Sequence, residues 1–206
     1  MSGWTKHSGQ AVALPFHNID TDQLIPSRFM STPRSEGYGR FLLHDLRRDE
    51  NGSEHPHFPL NRHNDTSIVV AGRNFGSGSS REAAVYALVD AGIRAVFAPS
   101  FGDIFSGNAV NNGLLPALVK DADFELLLRT LGDASRPAHV CLDARHISID
   151  GTTIGFQIDP GRRTKLINGW DDIDLTMRHA AAIGQHKRRL DSRAPWVRPF
   201  TEQTGS

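Results

Sequence analysis

The sequence contains very little cysteine. Cys141 is the single cysteine among 206 residues. This excludes an intramolecular disulfide framework, and it excludes an iron–sulfur or cysteine-rich zinc site built by this chain alone, because such sites need several thiolates. A chain of this length can bury a sizeable core without covalent cross-links. The composition therefore predicts a globular protein of a reducing compartment, which is typical of the cytoplasm.

The sequence also lacks an excess of charge and long apolar runs. Lys and Arg number 23 and Asp and Glu number 23, so the net charge gives no reason to expect nucleic acid or an anionic membrane as a partner. No window approaches the roughly 20 apolar residues that span a bilayer, and the first ten residues lack the apolar stretch of a signal peptide. We therefore predict a cytoplasmic protein that acts on a small molecule or with another protein.

Regular periodicity is missing between residues 26 and 64, where prolines and glycines interrupt every pattern. Long irregular stretches in a compact domain are often lids or binding loops. We predict a single domain over residues 1–206, with a mobile loop near 26–64 and a frayed tail after Pro195.

The central part of the chain has the clearest secondary-structure pattern. Residues 67–72 and 95–98 have the apolar composition of buried strands, and residues 79–91 have helical spacing that stops at Gly92. A glycine-containing loop at 73–78 lies between the first strand and the helix. Two strands separated by a helix predict a right-handed βαβ crossover with parallel strands.

The flanking parts add further strands and helices. Residues 11–16 form a strand candidate, and residues 121–131 form an amphipathic helix pattern that stops at Gly132. The dipeptide at 150–151, Asp-Gly, is a strong hairpin signal, and a last helix is predicted from about Asp171 toward Arg189. Together these patterns predict an α/β domain with a mixed sheet flanked by helices.

The loop at residues 74–82 carries most of the chemical information. Two glycines allow a tight turn, after which Ser79, Ser80 and Arg81 arrive at the start of a predicted helix. Free backbone amides and the helix dipole favour an anion at this position, and an arginine can hold a carboxylate through two parallel hydrogen bonds. The residues are those of a carboxylate or phosphate receptor.

A simpler interpretation competes with binding, because Ser79 and Glu82 also have the spacing of a helix capping box. Composition by itself favours this structural interpretation. The loop is not a Walker loop, since it lacks the terminal Gly-Lys-Ser/Thr, and it does not have the spacing of a dinucleotide-binding fingerprint.

Several motifs together resemble one enzyme family. They are Asn-Phe-Gly-Ser-Gly-Ser-Ser-Arg-Glu at 74–82, Ala-Pro-Ser-Phe-Gly-Asp-Ile-Phe at 98–105, Asn-Asn-Gly-Leu-Leu-Pro at 111–116, Asn-Ile-Asp-Thr-Asp-Gln-Leu-Ile-Pro at 18–26, and the stretch 168–176. The combination spans most of the chain and closely resembles isopropylmalate dehydratase small subunits. The resemblance implies the swivelling β/β/α domain of the aconitase type.

The resemblance also implies roles for the loop residues. Ser79 matches the serine that acts as the catalytic base in its alkoxide form, and Ser80 and Arg81 match residues that bind a substrate carboxylate. A serine hydroxyl is a poor base at neutral pH unless nearby donors stabilise its anion, and helix amides with an arginine supply such donors.

A partner follows from the same resemblance. Members of this family work with a separate large subunit that carries a 4Fe-4S cluster, so this chain is expected to bind no cofactor or metal itself and to be inactive alone. The implied complex is a heterodimer or heterotetramer. Its expected reaction is the hydro-lyase isomerisation of 2-isopropylmalate to 3-isopropylmalate, a dicarboxylate conversion in leucine biosynthesis.

The motif departs from the common family pattern at three positions. Many members have cysteine at the position of Ser77, histidine at that of Ala83 and proline at that of Val85. These departures leave related substrates open, namely those of citraconate, dimethylmalate or homoaconitate dehydratases. A rival from another class is a non-catalytic anion-binding module that uses the same loop.

The loop at 26–39 is expected to contribute to specificity. It contains Arg28, Arg34 and Tyr38, and we name Arg28 as a candidate for binding a second substrate carboxylate. Surface arginines are mostly solvated, which is the competing interpretation.

Other charged groups do not predict a site. Histidines at positions 44, 55, 57 and 63 lack the carboxylate spacing of a zinc site, so no metal is predicted there. The basic stretch 186–189 lies at a predicted helix end, where cations favour the helix dipole. The sequence leaves the roles of Arg162 and Arg163 open between a subunit interface and the solvated surface.

Overall fold

Seven strands form one mixed sheet in the computed structural model, which describes residues 2–197. Their order across the sheet is β4-β3-β2-β1-β5-β6-β7. The strands are β1 (Lys6–Leu14), β2 (Thr66–Ala71), β3 (Ala95–Ala98), β4 (Leu115–Leu118), β5 (Arg136–Cys141), β6 (His146–Ile149) and β7 (Thr152–Gly155).

The strand β1 joins a parallel half of the sheet to an antiparallel half. It pairs in parallel with β2, which continues in parallel to β3 and β4. On its other side β1 pairs antiparallel with β5, which continues to β6 and β7. The prediction of a mixed sheet, with parallel strands at 67–72 and 95–98, is confirmed.

Helices lie between these strands and after the last of them along the chain. They are α1 (Thr21–Leu24), α2 (His44–Arg47), α3 (Pro59–Arg62), α4 (Glu82–Asp90), α5 (Asp103–Asn111), α6 (Asp121–Leu131), α7 (Pro160–Asn168), α8 (Asp172–Met177) and α9 (Ala180–Arg193), with short 3-10 turns at Ser27–Phe29, Arg34–Glu36, Gly39–Phe41 and Pro195–Val197. Across residues 2–197, none of these helices combines the length and the apolar character that a bilayer crossing requires.

The parallel strands are buried on both faces. Along β1, Val12 and Leu14 point into one hydrophobic cluster, and Ala11 and Ala13 point into the other, because successive side chains of a strand alternate between faces. Helix α4 covers the first face, and α6 covers the second. Burial on both faces explains why these strands are continuous apolar runs in the sequence.

The irregular segment at residues 26–64 is attached to the first cluster by apolar side chains. Tyr38, Leu42, Leu43 and Phe58 are each at least nine-tenths buried, and the backbone between them forms only short helical turns. Proline and glycine prevent longer elements here. The mobility of this segment stays a prediction.

The hairpin between β6 and β7 is confirmed. Asp150 and Gly151 adopt φ angles of 46° and 78°, the left-handed pair that a two-residue turn of this type requires. The first strand extends further toward the N-terminus than residues 11–16, because Lys6 to Ala11 pair with β5. This pairing partner lies more than a hundred residues away in the chain.

The last predicted helix, from about Asp171 toward Arg189, is two helices. The Asp171 carboxylate accepts a hydrogen bond from the Asp174 amide at 2.8 Å in a capping box that starts α8, so the predicted start is confirmed. The helix is interrupted at Arg178 and His179, and α9 then runs to Arg193.

The chain divides into two compact units. Met1–Trp170 holds the whole sheet, and Asp171–Ser206 holds α8 and α9. The division into compact units does not test the predicted single domain over residues 1–206, which remains a prediction. The predicted fraying after Pro195 concerns mainly residues 198–206, which lie outside the described residues.

Candidate active site

The glycine loop lies at the carboxyl edge of the parallel strands. It follows β2, and the loops that follow β1 and β3 lie beside it. In open α/β sheets this edge is where ligands bind, because the loops that leave adjacent parallel strands meet there.

Backbone hydrogen bonds fix the glycine loop to the loop after β1. The Gly76 amide donates to the Ile19 carbonyl at 2.7 Å, and the Thr21 amide donates to the Ser77 carbonyl at 2.9 Å. Thr21 is itself buried at the start of α1. These bonds hold the loop on one side.

A second pair of bonds fixes the same loop to the segment after β3. The Phe75 amide donates to the Ser100 carbonyl at 3.1 Å, and the Gly102 amide donates to the Phe75 carbonyl at 2.9 Å. The Asn74 amide also donates to the Ser100 hydroxyl at 2.8 Å. The motifs at 18–26, 74–82 and 98–105 therefore form one hydrogen-bonded platform.

The position of Gly76 in this platform accepts only glycine. Its φ is +71°, and a Cβ atom there would lie 2.2 Å from Cγ of Phe105. L-residues rarely adopt such a φ, and the ring of Phe105 is buried and cannot withdraw. The glycine requirement is a requirement for close packing of α5 against the loop.

The two serines of the motif are exposed. Ser79 and Ser80 both face solvent, and within residues 2–197 neither hydroxyl forms a hydrogen bond. They immediately precede Arg81, the residue that leads into α4. The structure thus presents two free hydroxyls in the residues that directly precede the N-cap of a nine-residue helix.

The capping box predicted for Ser79 and Glu82 does not form, so that interpretation is wrong. The helix begins at Glu82, and Arg81 is its N-cap residue, without a side-chain cap. The Arg81 amide donates to the Ser79 carbonyl at 2.7 Å in a tight turn, which places Ser79 outside the helix. The Glu82 carboxylate instead accepts a hydrogen bond from Nδ2 of Asn112 at 2.9 Å.

Arg81 forms an ion pair with Asp22 of α1. The Arg81 side chain is 23% exposed and that of Asp22 is 55% exposed, so the arginine is mostly buried while the aspartate faces solvent. Sequence reasoning did not single out Asp22, although it lies within the motif at 18–26. A substrate carboxylate would compete with Asp22 for the guanidinium of Arg81.

Arg28 lies in the same cleft as Asp22. An open cleft of about 370 Å³ is lined by Asp20, Asp22, Gln23, Pro26, Ser27, Arg28, Asp45 and Leu46. Arg28 pairs with both carboxylate oxygens of Asp45, and its guanidinium lies 4.6 Å from the ring centre of Phe29. The hydrogen bonds from Arg28 lower the pKa of Asp45 to about 2.

The structure therefore brings the candidate residues to one region. Ser79, Ser80 and Arg81 are consecutive, and Arg81 is linked through Asp22 to the cleft that contains Arg28. Both arginines are engaged by aspartates of this chain. The arrangement can hold a dicarboxylate if the substrate replaces or shares these partners.

Arg34 and Tyr38 have structural contacts. Arg34 forms an ion pair with Asp90 at the end of α4, and its guanidinium lies 4.1 Å from the ring centre of Tyr86. The Tyr38 hydroxyl donates to the Thr32 carbonyl at 2.9 Å. These contacts attach the segment 26–39 to the far end of α4.

The motif at 111–116 contacts helices α4 and α7 through two asparagine side chains. Nζ of Lys165 donates to Oδ1 of Asn111 at 2.6 Å, and Lys165 is only 6% exposed. Asn112 contacts Glu82 at the start of α4. Sequence reasoning assigned no role to these side chains, because their partners come from distant parts of the chain.

Of the three departures from the family pattern, one lies in the glycine loop and two lie in the core beneath α4. Ser77 pairs with Asp20 in a short parallel bridge. Ala83 and Val85 are 8% and 0% exposed and belong to the core beneath α4. A larger imidazole in place of Ala83 would need room in this core, so the departure concerns packing next to the site.

The remaining candidates lie elsewhere. Nη1 of Arg163 donates to the Asp143 carbonyl at 3.3 Å, and the Arg162 amide donates to the carboxylate that caps α7, at 3.0 Å. In the described part of the chain, no three histidine, cysteine, aspartate or glutamate side chains are grouped as metal ligands.

Comparisons with known proteins agree over nearly the whole chain. Residues 1–122 match the aconitase C-terminal domain, and residues 172–200 match the C-terminal domain of the 3-isopropylmalate dehydratase small subunit. The 3-isopropylmalate dehydratase small subunits of Rhodospirillum centenum and Cereibacter sphaeroides are 42% and 44% identical, each over 96% of this chain and 99% and 100% of their own lengths.

A solved structure gives the same result. The crystal structure of 3-isopropylmalate dehydratase from Methanocaldococcus jannaschii is 26% identical, has a TM-score of 0.64 and covers 88% of this chain and 99% of its own. This confirms the α/β fold of the aconitase type. The chain therefore belongs to the family of 3-isopropylmalate dehydratase small subunits.

Proposed function

We propose that this chain is the small subunit of a two-subunit hydro-lyase that isomerises 2-isopropylmalate to 3-isopropylmalate in leucine biosynthesis. The observation that carries the proposal is the platform at the carboxyl edge of the sheet, which presents two free serine hydroxyls and a fixed arginine. Relatives that align with 96% of the chain carry the corresponding name.

Ser79 is the proposed catalytic base. In its alkoxide form it takes the proton from the carbon beside a substrate carboxylate; the electron pair of that C–H bond forms the alkene as hydroxide leaves the neighbouring carbon. In the second half, the hydroxide of a water molecule adds to the carbon that lost the proton, and Ser79 returns its proton to the carbon that lost the hydroxide. The remaining proton of that water combines with the released hydroxide to form water. The position of this exposed serine two residues before Arg81 and three before the first residue of α4 supports this role, because helix amides and a guanidinium stabilise an oxyanion.

Ser80 and Arg81 are the proposed carboxylate clamp. The planar guanidinium of Arg81 matches a carboxylate through two parallel hydrogen bonds, and the exposed hydroxyl of Ser80 adds a donor. Asp22 occupies Arg81 in this structure, so the substrate carboxylate exchanges with Asp22 or shares the guanidinium with it.

Arg28 is the proposed second anchor. Its position in the cleft that Asp22 also lines supports binding of the other substrate carboxylate. Asp45 holds the guanidinium through two hydrogen bonds, and both side chains are more than half exposed. An exposed pair of this kind is weak, so a substrate dianion can displace Asp45.

Loss of hydroxide from the substrate needs a Lewis acid, and this chain lacks the ligands to bind the one that the family uses. A 4Fe-4S cluster requires several cysteine thiolates, and the sequence has Cys141 alone. We assign the cluster to a large partner subunit, with which this chain forms a heterodimer or heterotetramer in the cytoplasm. The small chain alone is then inactive.

The test is reconstitution with a panel of substrates. The chain is co-purified anaerobically with its candidate large subunit, and the cluster is reconstituted. Alkene formation is then followed by absorbance with isopropylmalate, citramalate and homocitrate-type substrates in parallel. Each subunit alone serves as the control. We expect turnover of isopropylmalate by the complex only.

Other outcomes have distinct meanings. Turnover of a different substrate, and not of isopropylmalate, would retain the assignment as a hydro-lyase. It would change the assigned substrate to that of a citraconate, dimethylmalate or homoaconitate dehydratase. A chain that forms no complex and turns over none of the diacids, but binds one of them, would instead be a non-catalytic anion-binding module.

A further inference from the structure

A second cationic region lies at the opposite end of α4 from the serines. It is a cavity of about 200 Å³ whose lining residues include Arg40, Arg47, Arg48, His63 and Ala91. Three arginines and one histidine are present among the lining residues, and no carboxylate is. We call this region the arginine cavity.

Arg47 enters the arginine cavity without a carboxylate partner. Its Nε donates to Oδ1 of Asn61 at 2.7 Å, and its two terminal nitrogens donate to the carbonyls of Leu42 and Leu60 at 3.4 and 3.5 Å. All three acceptors are neutral. The charge of this half-buried guanidinium is therefore not neutralised by these contacts.

Two residues that line the cavity each contain a nitrogen atom without a hydrogen bond. Nη1 of Arg48 and Nε2 of His63 are both fully enclosed and have no partner in the described part of the chain. Nη2 of Arg48 is paired with Glu54 at 2.9 Å, so the free atom is the other arm of the guanidinium. Enclosed polar atoms without partners are uncommon in folded proteins and often mark the place of an unseen ion or water.

The electrostatics of the wall favour an anion. Burial, and then the charge of Arg48, lower the pKa of Arg47, while Glu54 raises it. Arg40 adds a third guanidinium, whose partner is the exposed Glu36. A bound dianion would offset the mutual repulsion of Arg47 and Arg48.

We propose that the arginine cavity binds a small phosphate-type oxyanion through Arg47, the free arm of Arg48 and the ring of His63. The guanidinium groups and the imidazole ring of these lining residues carry hydrogen-bond donors. Such donors bind the acceptor oxygens of a tetrahedral anion. The same chemistry fits inorganic phosphate and the phosphate group of a small metabolite.

This site is separate from the proposed catalytic loop. The cavity includes Ala91, the residue that ends α4, whereas Arg81 precedes the first residue of that helix. A nine-residue helix spans about 13 Å at its usual rise of about 1.5 Å per residue. The inference therefore does not depend on the isomerase reaction.

The experiment is a calorimetric titration of the full chain with inorganic phosphate, in a buffer free of other oxyanions, and a parallel titration with glycerol 3-phosphate. We expect one saturable site for phosphate. Tighter binding of glycerol 3-phosphate would identify an organic phosphate as the ligand, and tighter binding of inorganic phosphate would identify the free ion.

Substitutions locate the site. Arg48→Met and His63→Leu are each expected to weaken phosphate binding about tenfold or more, because each removes a converging donor. Arg129→Met, which removes an exposed arginine on α6, and Arg81→Met are expected to leave the affinity unchanged. Arg48→Lys keeps the charge and serves if Arg48→Met does not fold, as judged by circular dichroism; it is also expected to weaken binding.

The proposal is overturned by any of three results. Phosphate heats that never saturate would mean that the cavity holds only water. An equal loss in Arg129→Met would mean general charge attraction. Loss of binding in Arg81→Met together with retention in both cavity variants would place the anion at the glycine loop.

Discussion

Gly76 has the closest packing of the glycines in the glycine loop, and its substitution tests the platform directly. A Cβ at this position would meet the Phe105 ring at 2.2 Å with φ at +71°. We expect Gly76→Ala to lower the free energy of unfolding by about 3 kcal/mol, the sum of left-handed strain and overpacking. Urea denaturation of the chain measures this loss.

Gly52 provides the matched control for this substitution. Its φ is +81°, but a Cβ there would have no atom within 4 Å. Gly52→Ala should therefore cost only the backbone strain, about 1 kcal/mol. Equal losses for the two substitutions would show that Phe105 does not press on the loop.

The ion pair between Arg28 and Asp45 predicts a pH dependence. The hydrogen bonds from Arg28 lower the pKa of Asp45 from 3.8 to about 2. Because the folded-state pKa is depressed, the pair stabilises the fold above the unfolded value and loses this effect as the pH falls from about 4 toward about 2. The side chains are more than half exposed, so the contribution is at most about 1 kcal/mol.

Removal of Arg28 should return Asp45 to its ordinary titration. In Arg28→Gln we expect the Asp45 pKa, followed by the NMR shift of its carboxyl carbon, to rise toward the ordinary value of 3.8. Arg40→Gln, which removes the arginine of a separate exposed ion pair, is the control and should leave the Asp45 pKa unchanged. An unchanged Asp45 would show that Arg28 does not hold this carboxylate in solution.

Arg81 offers a test of the carboxylate clamp. A lysine keeps the charge but lacks the planar pair of donors, so Arg81→Lys should lower kcat/KM of the reconstituted complex by about tenfold or more, the range expected for one charged hydrogen bond. Steady-state kinetics with isopropylmalate measures this. Arg129→Lys is the control, and an equal kcat/KM in both variants would remove Arg81 from substrate binding.

Single-residue signals in the sequence identified the candidate residues of the loop and did not identify their partners. The glycines, serines and Arg81 were identified because their residue types have few uses in this pattern. Asp22, Asn112 and Lys165 were not, because each acquires its role from a side chain brought near by the fold.

At the scale of elements, the periodic segments were predictable and their ends were not. The helix at Asp121–Leu131 has the predicted bounds, since its apolar spacing and Gly132 are local. Helix α4 starts three residues later than predicted, because bonds from Ile19, Thr21 and Ser100 hold the preceding loop in another conformation. No local pattern encodes those partners.

Differences in burial between elements predict their rates of amide hydrogen exchange. Strands β2 and β3 are buried along almost their whole length, whereas α8 and α9 contain no buried residue. Local opening is easiest where few apolar contacts must break. Hydrogen exchange of the isolated chain, followed by mass spectrometry, should be slowest in β2 and β3 and fastest in α8 and α9.

The edge strand β7 is the internal reference for this comparison, since only one of its four residues is buried. It should exchange at an intermediate rate. Protection of α9 in the isolated chain equal to that of β2 would contradict this distribution of stability.

At the scale of the whole molecule, family membership and site geometry describe one part of an active centre. In the proposed function, the chain supplies a base, a carboxylate clamp and the platform that positions them, and the large subunit supplies the Lewis acid. The sequence indicated this division through its single cysteine and its serine motif. It did not indicate the separation of residues 171–206 as a second compact unit, because no composition shift marks Trp170.

The measurement that tests the proposed role of the glycine loop most directly is the turnover of Ser79→Ala in the reconstituted complex. Removal of a general base lowers rates by about 10²–10⁴-fold, and we expect a loss of kcat in this range. Circular dichroism and co-purification with the large subunit should be unchanged, since the Ser79 side chain is exposed and makes no contact that supports the loop.

Ser77→Ala is the control, because Ser77 lies in the same loop but outside the serine pair, and its turnover should stay near that of the wild type. We expect an intact complex that is inactive in Ser79→Ala and active in Ser77→Ala. Wild-type turnover by the Ser79→Ala complex would contradict the proposed mechanism, because it would show that Ser79 is not the catalytic base.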